Sequence, residues 1–453
     1  MCRQEAIIMI KNKTYADDAA GAIGKIHEFQ KFGSILGLER MTKLLELLGN
    51  PQDQLKVIHV AGTNGKGSVC RYIYSVLQEN GYRTGLYTSP FLEVFNERIE
   101  LDGNYISDGE LAVYTDIVLE KAKAMTDAGM QSPTEFEVIT AIAFLYFKEK
   151  NADYVVLEVG LGGRGDSTNV CAKPLATVIT SISYDHTDRL GNTLAEIAGE
   201  KAGIIKEGCP VITSAKAEEA LAVIEKTAAE HNAMFFETRH IPYTLKEESL
   251  KGSRFDVDIQ GVVFEDIEIS MVGRHQIENA IVAIAAINIM EERGALQISK
   301  DALFRGLKKA KQSGRFEVMT GSGIRPAVIL DGAHNPDGAR VLKEAMKKFC
   351  GSSRILMIAG MLEDKDTSHI LESFCEITSE FVATEPDNPR KMSKETLEEK
   401  LRDFGVHCLT AGSPEEACMF AAEHKDDYDV ILFAGSLYLI GQIRTILRRT
   451  WEG

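Results

Sequence analysis

Val57-Ile58-His59-Val60-Ala61-Gly62-Thr63-Asn64-Gly65-Lys66-Gly67-Ser68 passes from a β-branched apolar run into a glycine-rich turn. From Ser68 onward, Val69, Tyr72, Ile73, Val76 and Leu77 recur at helical spacing, so the stretch reads as strand, phosphate loop, helix. Glycines let backbone N–H groups close on phosphate oxygens, the helix N-terminus adds a partial positive charge, and Lys66 can reach the β- and γ-phosphates. The spacing is not the common Gly-x4-Gly-Lys-Ser/Thr form: Val60 stands where the first glycine belongs, and Gly67 separates Lys66 from Ser68. A plain βα turn would account for the glycines, but not for Lys66 and Ser68 behind a strand.

At 453 residues the chain exceeds what one hydrophobic core usually serves, so at least two domains are expected. An apolar content of 44%, a charged content of 26% and a mean hydropathy of -0.10 describe a globular chain, with no run of apolar residues able to span a bilayer. The apolar patch Ala6-Ile7-Ile8-Met9-Ile10 is too short for a signal-peptide core, and the reading is cytoplasmic. The eight cysteines, from Cys2 to Cys418, form no C-x-x-C pair and read as reduced, packed thiols. A net charge of -16 argues against a bulk grip on nucleic acid, but not against anionic small molecules held by local basic groups. The short basic runs at 306–311 and 346–348 read as solvated helix faces.

Amphipathic helical patterning occupies residues 1–50, interrupted by the loop Phe32-Gly33-Ser34-Ile35-Leu36-Gly37-Leu38 and followed by Gly49-Asn50-Pro51. Thr84 to Tyr87 read as the next strand, running into Thr88-Ser89-Pro90, and 107–127 as a helix. Thr134 caps a further helix, with Glu137 as its capping-box partner. Tyr154-Val155-Val156-Leu157-Glu158 plants a carboxylate at the end of an apolar strand, costly if buried unless paired or metal-bound, which makes Glu158 a metal-ligand candidate. A strand at 176–182 delivers Asp185-His186-Thr187-Asp188, where two carboxylates shift His186 toward a ligand role. A helix over 193–205 carries Lys201, which taken alone reads as a surface lysine. Residues 210–236 form a βα unit, 240–271 alternate in period two as a small antiparallel sheet, and a helix runs from Gly273 to about 291.

Ser313-Gly314-Arg315-Phe316-Glu317 is a glycine-marked hinge. Beyond it, strands at 326–330, 355–359 and 430–433 alternate with helices. The fold class is thus α/β: a doubly wound phosphate-loop domain with a small antiparallel sheet (1–312), a hinge (313–317), and a smaller Rossmann-like domain (318–453) without a dinucleotide fingerprint. An ATP–Mg²⁺ site met across a hinge by Asp331-Gly332-Ala333-His334-Asn335-Pro336 suggests ATP hydrolysis coupled to bond formation. The corresponding chemistry is a ligase that phosphorylates a carboxylate for attack by an amine.

Five ordered motifs resemble the folylpolyglutamate synthase/dihydrofolate synthase family within the Mur ligase superfamily: Gly62 to Ser68, Glu158 to Gly163, Asp185-His186, Glu200-Lys201-Ala202-Gly203 and Asp331 to Pro336. Their order and spacing match over nearly the whole chain. The resemblance implies that Lys66 and the loop residues Asn64, Gly65, Gly67 and Ser68 hold ATP phosphates, and that Ser89, Glu158 and His186 bind Mg²⁺. Lys201 matches the lysine this superfamily carbamylates, which reverses the surface reading. Arg315 and Asp331 match nucleotide contacts, Asp331 toward ribose hydroxyls; Asn279 matches a position near adenine, and His334 one near the γ-phosphate. Leu36, Thr134, Phe136, Asp166 and Ser167 fall where the family lines its pterin pocket.

The function so implied is ATP-dependent addition of L-glutamate to the γ-carboxylate of tetrahydrofolate, with or without dihydrofolate synthase activity on dihydropteroate. Bifunctional members are expected to carry Ala at Ser167, so that second activity stays open. A monomer, with no nucleic acid or membrane partner, is the family expectation. Two alternatives remain: a peptidoglycan-type amino-acid ligase, disfavoured because such enzymes place Ser or Thr directly after the lysine, and an ATP-binding regulatory module without ligation, disfavoured by Glu158, His186 and Lys201.

Overall fold

The computed structural model describes residues 19–33, 35–319 and 326–451. The N-terminal apolar patch at 6–10, Cys2 and Ser34 lie outside the described residues. The first sheet is built from β1 (Val57–Ala61), β2 (Thr84–Tyr87), β3 (Ile99–Leu101), β4 (Asn104–Tyr105), β5 (Tyr154–Glu158), β6 (Ala176–Ile179), β7 (Val211–Thr213) and β8 (Phe235–Glu237), in the order β4-β3-β2-β5-β1-β6-β7-β8. From β2 to β8 every pairing is parallel, and only β3 and β4 join antiparallel. Every residue of β1 and β5 is buried, as expected of central parallel strands covered on both faces.

One face is covered by the helix Lys66–Glu79, the helix Arg274–Glu292 and the antiparallel sheet of β9 (Tyr243–Ser249), β10 (Gly252–Ile259) and β11 (Val262–Ile269). Helix Arg274–Glu292 is apolar nearly all round because it is sandwiched in this core. Each Ile or Val it buries contributes roughly 1.5–3 kcal/mol. The opposite face carries the helices Ala19–His27, Glu39–Leu47, Asp108–Asp127 and Glu135–Glu149.

The third sheet comprises β12 (Glu317–Val318), β13 (Ala327–Asp331), β14 (Ile355–Ala359), β15 (Glu380–Ala383), β16 (His407–Thr410) and β17 (Val430–Ala434), ordered β12-β13-β17-β14-β15-β16 and parallel except for β12. Helices pack on both of its faces. Among the described residues no helix is long and apolar enough to cross a membrane.

Two elements are shorter than the sequence pattern predicts, each because the chain is diverted to the cleft. The strand expected over 176–182 ends at Ile179, since the Thr180 hydroxyl donates to the Asn64 carbonyl at 2.7 Å and props up the phosphate loop. The helix expected over 193–205 spans Leu194–Ala202 and stops where Gly203 packs on the backbone of Arg164, a contact a Cβ would obstruct.

Arg444, on the helix Leu437–Trp451, joins the sheets. Its guanidinium donates to both Glu317 oxygens at 2.9–3.0 Å and pairs with Glu93 from the loop after β2. All three side chains are less than one-fifth exposed. Arg444→Met leaves Glu317 without an ion-pair partner and Glu93 with only the longer contact to Arg448 at 3.4 Å, and is expected to cost about 3 kcal/mol in urea unfolding, most of it regained in the triple variant with Glu93→Gln and Glu317→Gln. A loss within about 0.5 kcal/mol of zero contradicts the clamp.

Candidate active site

The C-terminal ends of β1, β2 and β5 open on one edge of the first sheet, at the point where the chain crosses from one side of β1 to the other. The loops after β13, β14 and β17 face them, and between the two lies a cleft of about 1250 Å³. The turn after β1 is held from behind. Thr63 N–H donates to the Ser181 carbonyl at 2.7 Å, and the Thr63 hydroxyl to the Ser183 carbonyl at 3.1 Å. Gly65 has a φ of +86°, and a Cβ there would meet Asn279 Oδ1 at 2.6 Å. Only glycine satisfies both the backbone and the packing.

Two lysines converge beneath this turn. Lys66 Nζ donates to the carbonyls of Gly62 and Thr63, each at 3.1 Å, and Lys201 Nζ donates to the same Gly62 carbonyl at 2.9 Å. Lys201 is buried, contrary to its reading as an isolated residue. Burial, and secondarily the neighbouring Lys66, pulls its pKa from 10.5 down to about 7.

Glu158, at the tip of β5, is buried and makes no ion pair within 4 Å among the described residues; Ser89 N–H donates to its Oε2 at 3.3 Å. Burial raises its pKa against the pull of Lys66. Ser89, Glu158 and His186 all line the cleft. His186 adopts a left-handed backbone (φ +50°), and burial lowers its pKa although Asp185 opposes the shift. Among the described residues no group of three or more His, Cys, Asp or Glu side chains is gathered as a metal site. A lone buried carboxylate beside Ser89 suits Mg²⁺, which keeps waters and phosphate oxygens in its shell rather than an all-protein cage; His186, lining the same cleft, is the less usual ligand type for that ion.

At the other end of the cleft, Leu36, Thr134, Phe136, Asp166 and Ser167 are brought together. Phe136 packs on Gly160, where a Cβ would strike its ring. Asp166 is buried and its pKa raised; its oxygens accept from the Thr168 hydroxyl at 2.6 Å and from Leu161 N–H at 2.8 Å. Because the Thr168 hydroxyl donates to Asp166, it accepts from His59 Nε2 at 2.8 Å, which gives one ring nitrogen of that fully buried histidine inside β1 its partner.

From the C-terminal sheet, Arg315 and His334 line the cleft. His334 Nδ1 donates to the Gly332 carbonyl at 2.7 Å, and burial, with the Arg315 guanidinium second, lowers its pKa to about 4. At neutral pH its Nε2, 4.0 Å from Asp185 Oδ2, therefore offers a lone pair rather than a positive charge. Asn279 and Asp331 stand behind the wall. Asn279 supports Gly65, while the two Asp331 oxygens accept from the backbone N–H groups of Phe316 and Ala333, each at 2.8 Å.

The sequence motifs did not disclose what ties the two sides together. Lys365, after β14, bonds Asp185 at 2.8 Å, with both side chains about nine-tenths buried. Burial alone would raise the Asp185 carboxyl, but Lys365, with His186 and His334, holds it well below the usual range. Asn335 donates to Asn64 Oδ1 at 3.0 Å and to Asp185 Oδ2 at 3.2 Å, and Asn64 donates to Asp337 at 2.9 Å. Arg390 and Tyr438 also reach the cleft without a motif to mark them. The available signal was a charged run, Glu363-Asp364-Lys365-Asp366, just past a strand end.

The chain matches the Mur ligase middle domain over residues 60–287 and the Mur ligase glutamate ligase domain over 314–437. It is 41% identical over 427 residues to a dihydrofolate synthase/folylpolyglutamate synthase of Bacillus subtilis, covering 93% of this chain and 97% of the relative. A Mycobacterium tuberculosis folylpolyglutamate synthase solved with ADP superposes with a TM-score of 0.86 at 30% identity, over 95% of this chain and 99% of that one. An Escherichia coli relative solved in complex with DHPP and ADP gives 0.85 at 30% identity, over 97% and 100%. By these measures and by its own cleft, the chain belongs to the folylpolyglutamate synthase/dihydrofolate synthase family of Mur ligases.

Proposed function

We propose that this chain joins L-glutamate to the γ-carboxylate of a folate at the expense of ATP, through an acyl phosphate. The observation that carries the reading is the one cleft in which the phosphate loop, the buried Lys201 and Glu158, and the opposing Arg315, His334 and Lys365 converge. In this reading the chain divides at 313–317 into a nucleotide-binding unit (1–312) and a smaller C-terminal unit (318–453).

Asn64, Gly65, Lys66, Gly67 and Ser68 hold the ATP phosphates, Lys66 exchanging its carbonyl partners for phosphate oxygens. Arg315, Asp331 and Asn279 serve the nucleotide, the last two by supporting the backbone around it. Ser89, Glu158 and His186 are the Mg²⁺ ligands. That ion, when bound, neutralises phosphate charge and polarises the transferring group. Leu36, Thr134, Phe136, Asp166 and Ser167 take the pterin, a flat heterocycle matched to an aromatic and hydrogen-bonding wall.

A γ-carboxylate oxygen attacks the γ-phosphorus, forming a C–O–P bond as ADP leaves. The amine of glutamate then attacks the acyl carbon, losing a proton and expelling phosphate. The chain's own part is positioning and charge: Arg315 and Lys66 face the transferring group, and a phosphate beside His334 would draw a proton onto Nε2 and turn it from acceptor to donor.

Lys201 is carbamylated in this reading. With a pKa near 7 about half of the side chain is neutral amine at neutral pH, against about one part in three thousand at 10.5. The amine nitrogen bonds to the carbon of CO2 and releases one proton, and the product presents anionic oxygens beneath the phosphate loop. The chain is read as a cytoplasmic monomer, with no nucleic acid or membrane partner.

Purified protein with Mg²⁺ is expected to release ADP only when a folate and glutamate are both present, and the product to gain one glutamate by mass. Turnover with tetrahydrofolate alone makes it a polyglutamylating enzyme; turnover with dihydropteroate as well makes it bifunctional. Silence with both overturns the reading in favour of another acceptor acid. Lys201→Ala is expected to keep its thermal midpoint, to lose turnover by about a hundredfold or more, and to regain part of it with added acetate or formate. Wild-type turnover in that variant removes the role.

A further inference from the structure

Arg40 lies in the helix Glu39–Leu47, which also carries core residues Met41, Leu44 and Leu45, and it is buried although nothing in its helix demands a cation there. Its guanidinium forks. Nε donates to Glu137 Oε2 at 3.1 Å and Nη2 lies 3.1 Å from Glu137 Oε1, while Nη2 also donates to the Ile35 carbonyl at 2.8 Å. The same Glu137 Oε2 accepts from Thr134 N–H at 2.7 Å, and the Thr134 hydroxyl accepts from Glu137 N–H at 3.3 Å. One side chain thus ties the loop that carries Leu36 to the helix end that carries Thr134 and Phe136.

A third wall hangs on the first. Gly37 N–H donates to the Gly165 carbonyl at 3.1 Å, and Leu36 Cβ packs so closely on Gly165 that a Cβ there would come within 3.0 Å. The turn leading into Asp166 and Ser167 is therefore registered against the loop that Arg40 holds.

Helix capping does not explain this arrangement. Ser107 with Glu110, and Thr193 with Glu196, form the same capping box elsewhere in the chain, on exposed surface and with no arginine buried against the glutamate. Among the described residues, only at Thr134 is the box sunk into the protein and paired with a buried guanidinium. A buried ion pair loses much of its Coulombic gain to desolvation, so stability alone is a weak reason for it. A lysine would offer its donors from one nitrogen rather than from a planar fork, so it would not hold the Glu137 carboxylate and the Ile35 carbonyl at the same spread.

We infer that Arg40 is a positioning residue for the folate end of the cleft, fixing the separation of the Ile35–Leu36 wall from the Thr134–Phe136 wall without touching the reacting atoms. The inference rests on the reading of that end as the folate pocket. It accounts for how walls from three distant segments of chain are held at one spacing.

The test is steady-state kinetics of full-length Arg40→Lys and of the neutral pair Arg40→Met with Glu137→Gln, in which Gln can still accept from Thr134 N–H. Both are expected to raise the folate KM about tenfold, with the ATP KM and kcat within about twofold of wild type. The neutral pair should do so at a near-wild-type thermal midpoint, which a merely stabilising role for Arg40 would not produce. A folate KM unchanged in the folded neutral pair overturns the inference, as does a loss confined to kcat. Wild-type protein that turns over no folate at all would instead remove the underlying reading of the pocket, and the inference with it.

Discussion

Lys66 and Lys201 compete for one acceptor, the carbonyl of Gly62, and the rest of the site follows from that crowding. Two ammonium groups on one oxygen repel each other, and the one with less access to water gives up its proton more readily. Burial makes that one Lys201. At neutral pH about half of the position is then neutral, nucleophilic amine directly beneath a loop shaped for phosphate, and Glu158, lining the same cleft, is a buried carboxylate with no ion-pair partner among the described residues. Charge on both sides of the turn is left for substrate to balance.

The two sheets share that task unevenly. The first supplies the phosphate loop and the buried charges from strand ends in register, where parallel pairing of β2, β5, β1 and β6 aligns their C-terminal edges. The second supplies groups that approach from across the cleft, and it meets the first through polar contacts, Lys365 on Asp185 and Asn335 on Asn64, and through apolar ones, where Leu92 and Val272 pack on its cores. Arg444 sits outside the cleft, between Glu93 and Glu317, and steadies the same junction.

Much of this was legible in the sequence because the signals were local. The strand–turn–helix at Val57 to Ser68, the capping box at Thr134 and the carboxylate ending Tyr154–Glu158 each announce themselves within a dozen residues. What stayed hidden depends on partners far apart in the chain. Lys201 reads as an ordinary helix lysine until the fold buries it against Gly62, and the residue that pins Asp185 lies 180 positions away at Lys365. The backbone N–H groups of Phe316 and Ala333 that donate to the two Asp331 oxygens are likewise a contact no pattern of residue types reveals.

The central claim is that the cleft activates a carboxylate by phosphorylating it. The most direct test is a single-turnover reaction with folate carrying ¹⁸O in its γ-carboxylate, followed by mass analysis of the phosphate released. Passage through an acyl phosphate transfers one labelled oxygen to each phosphate formed. Unlabelled phosphate, accompanied by normal ligation, would contradict the account.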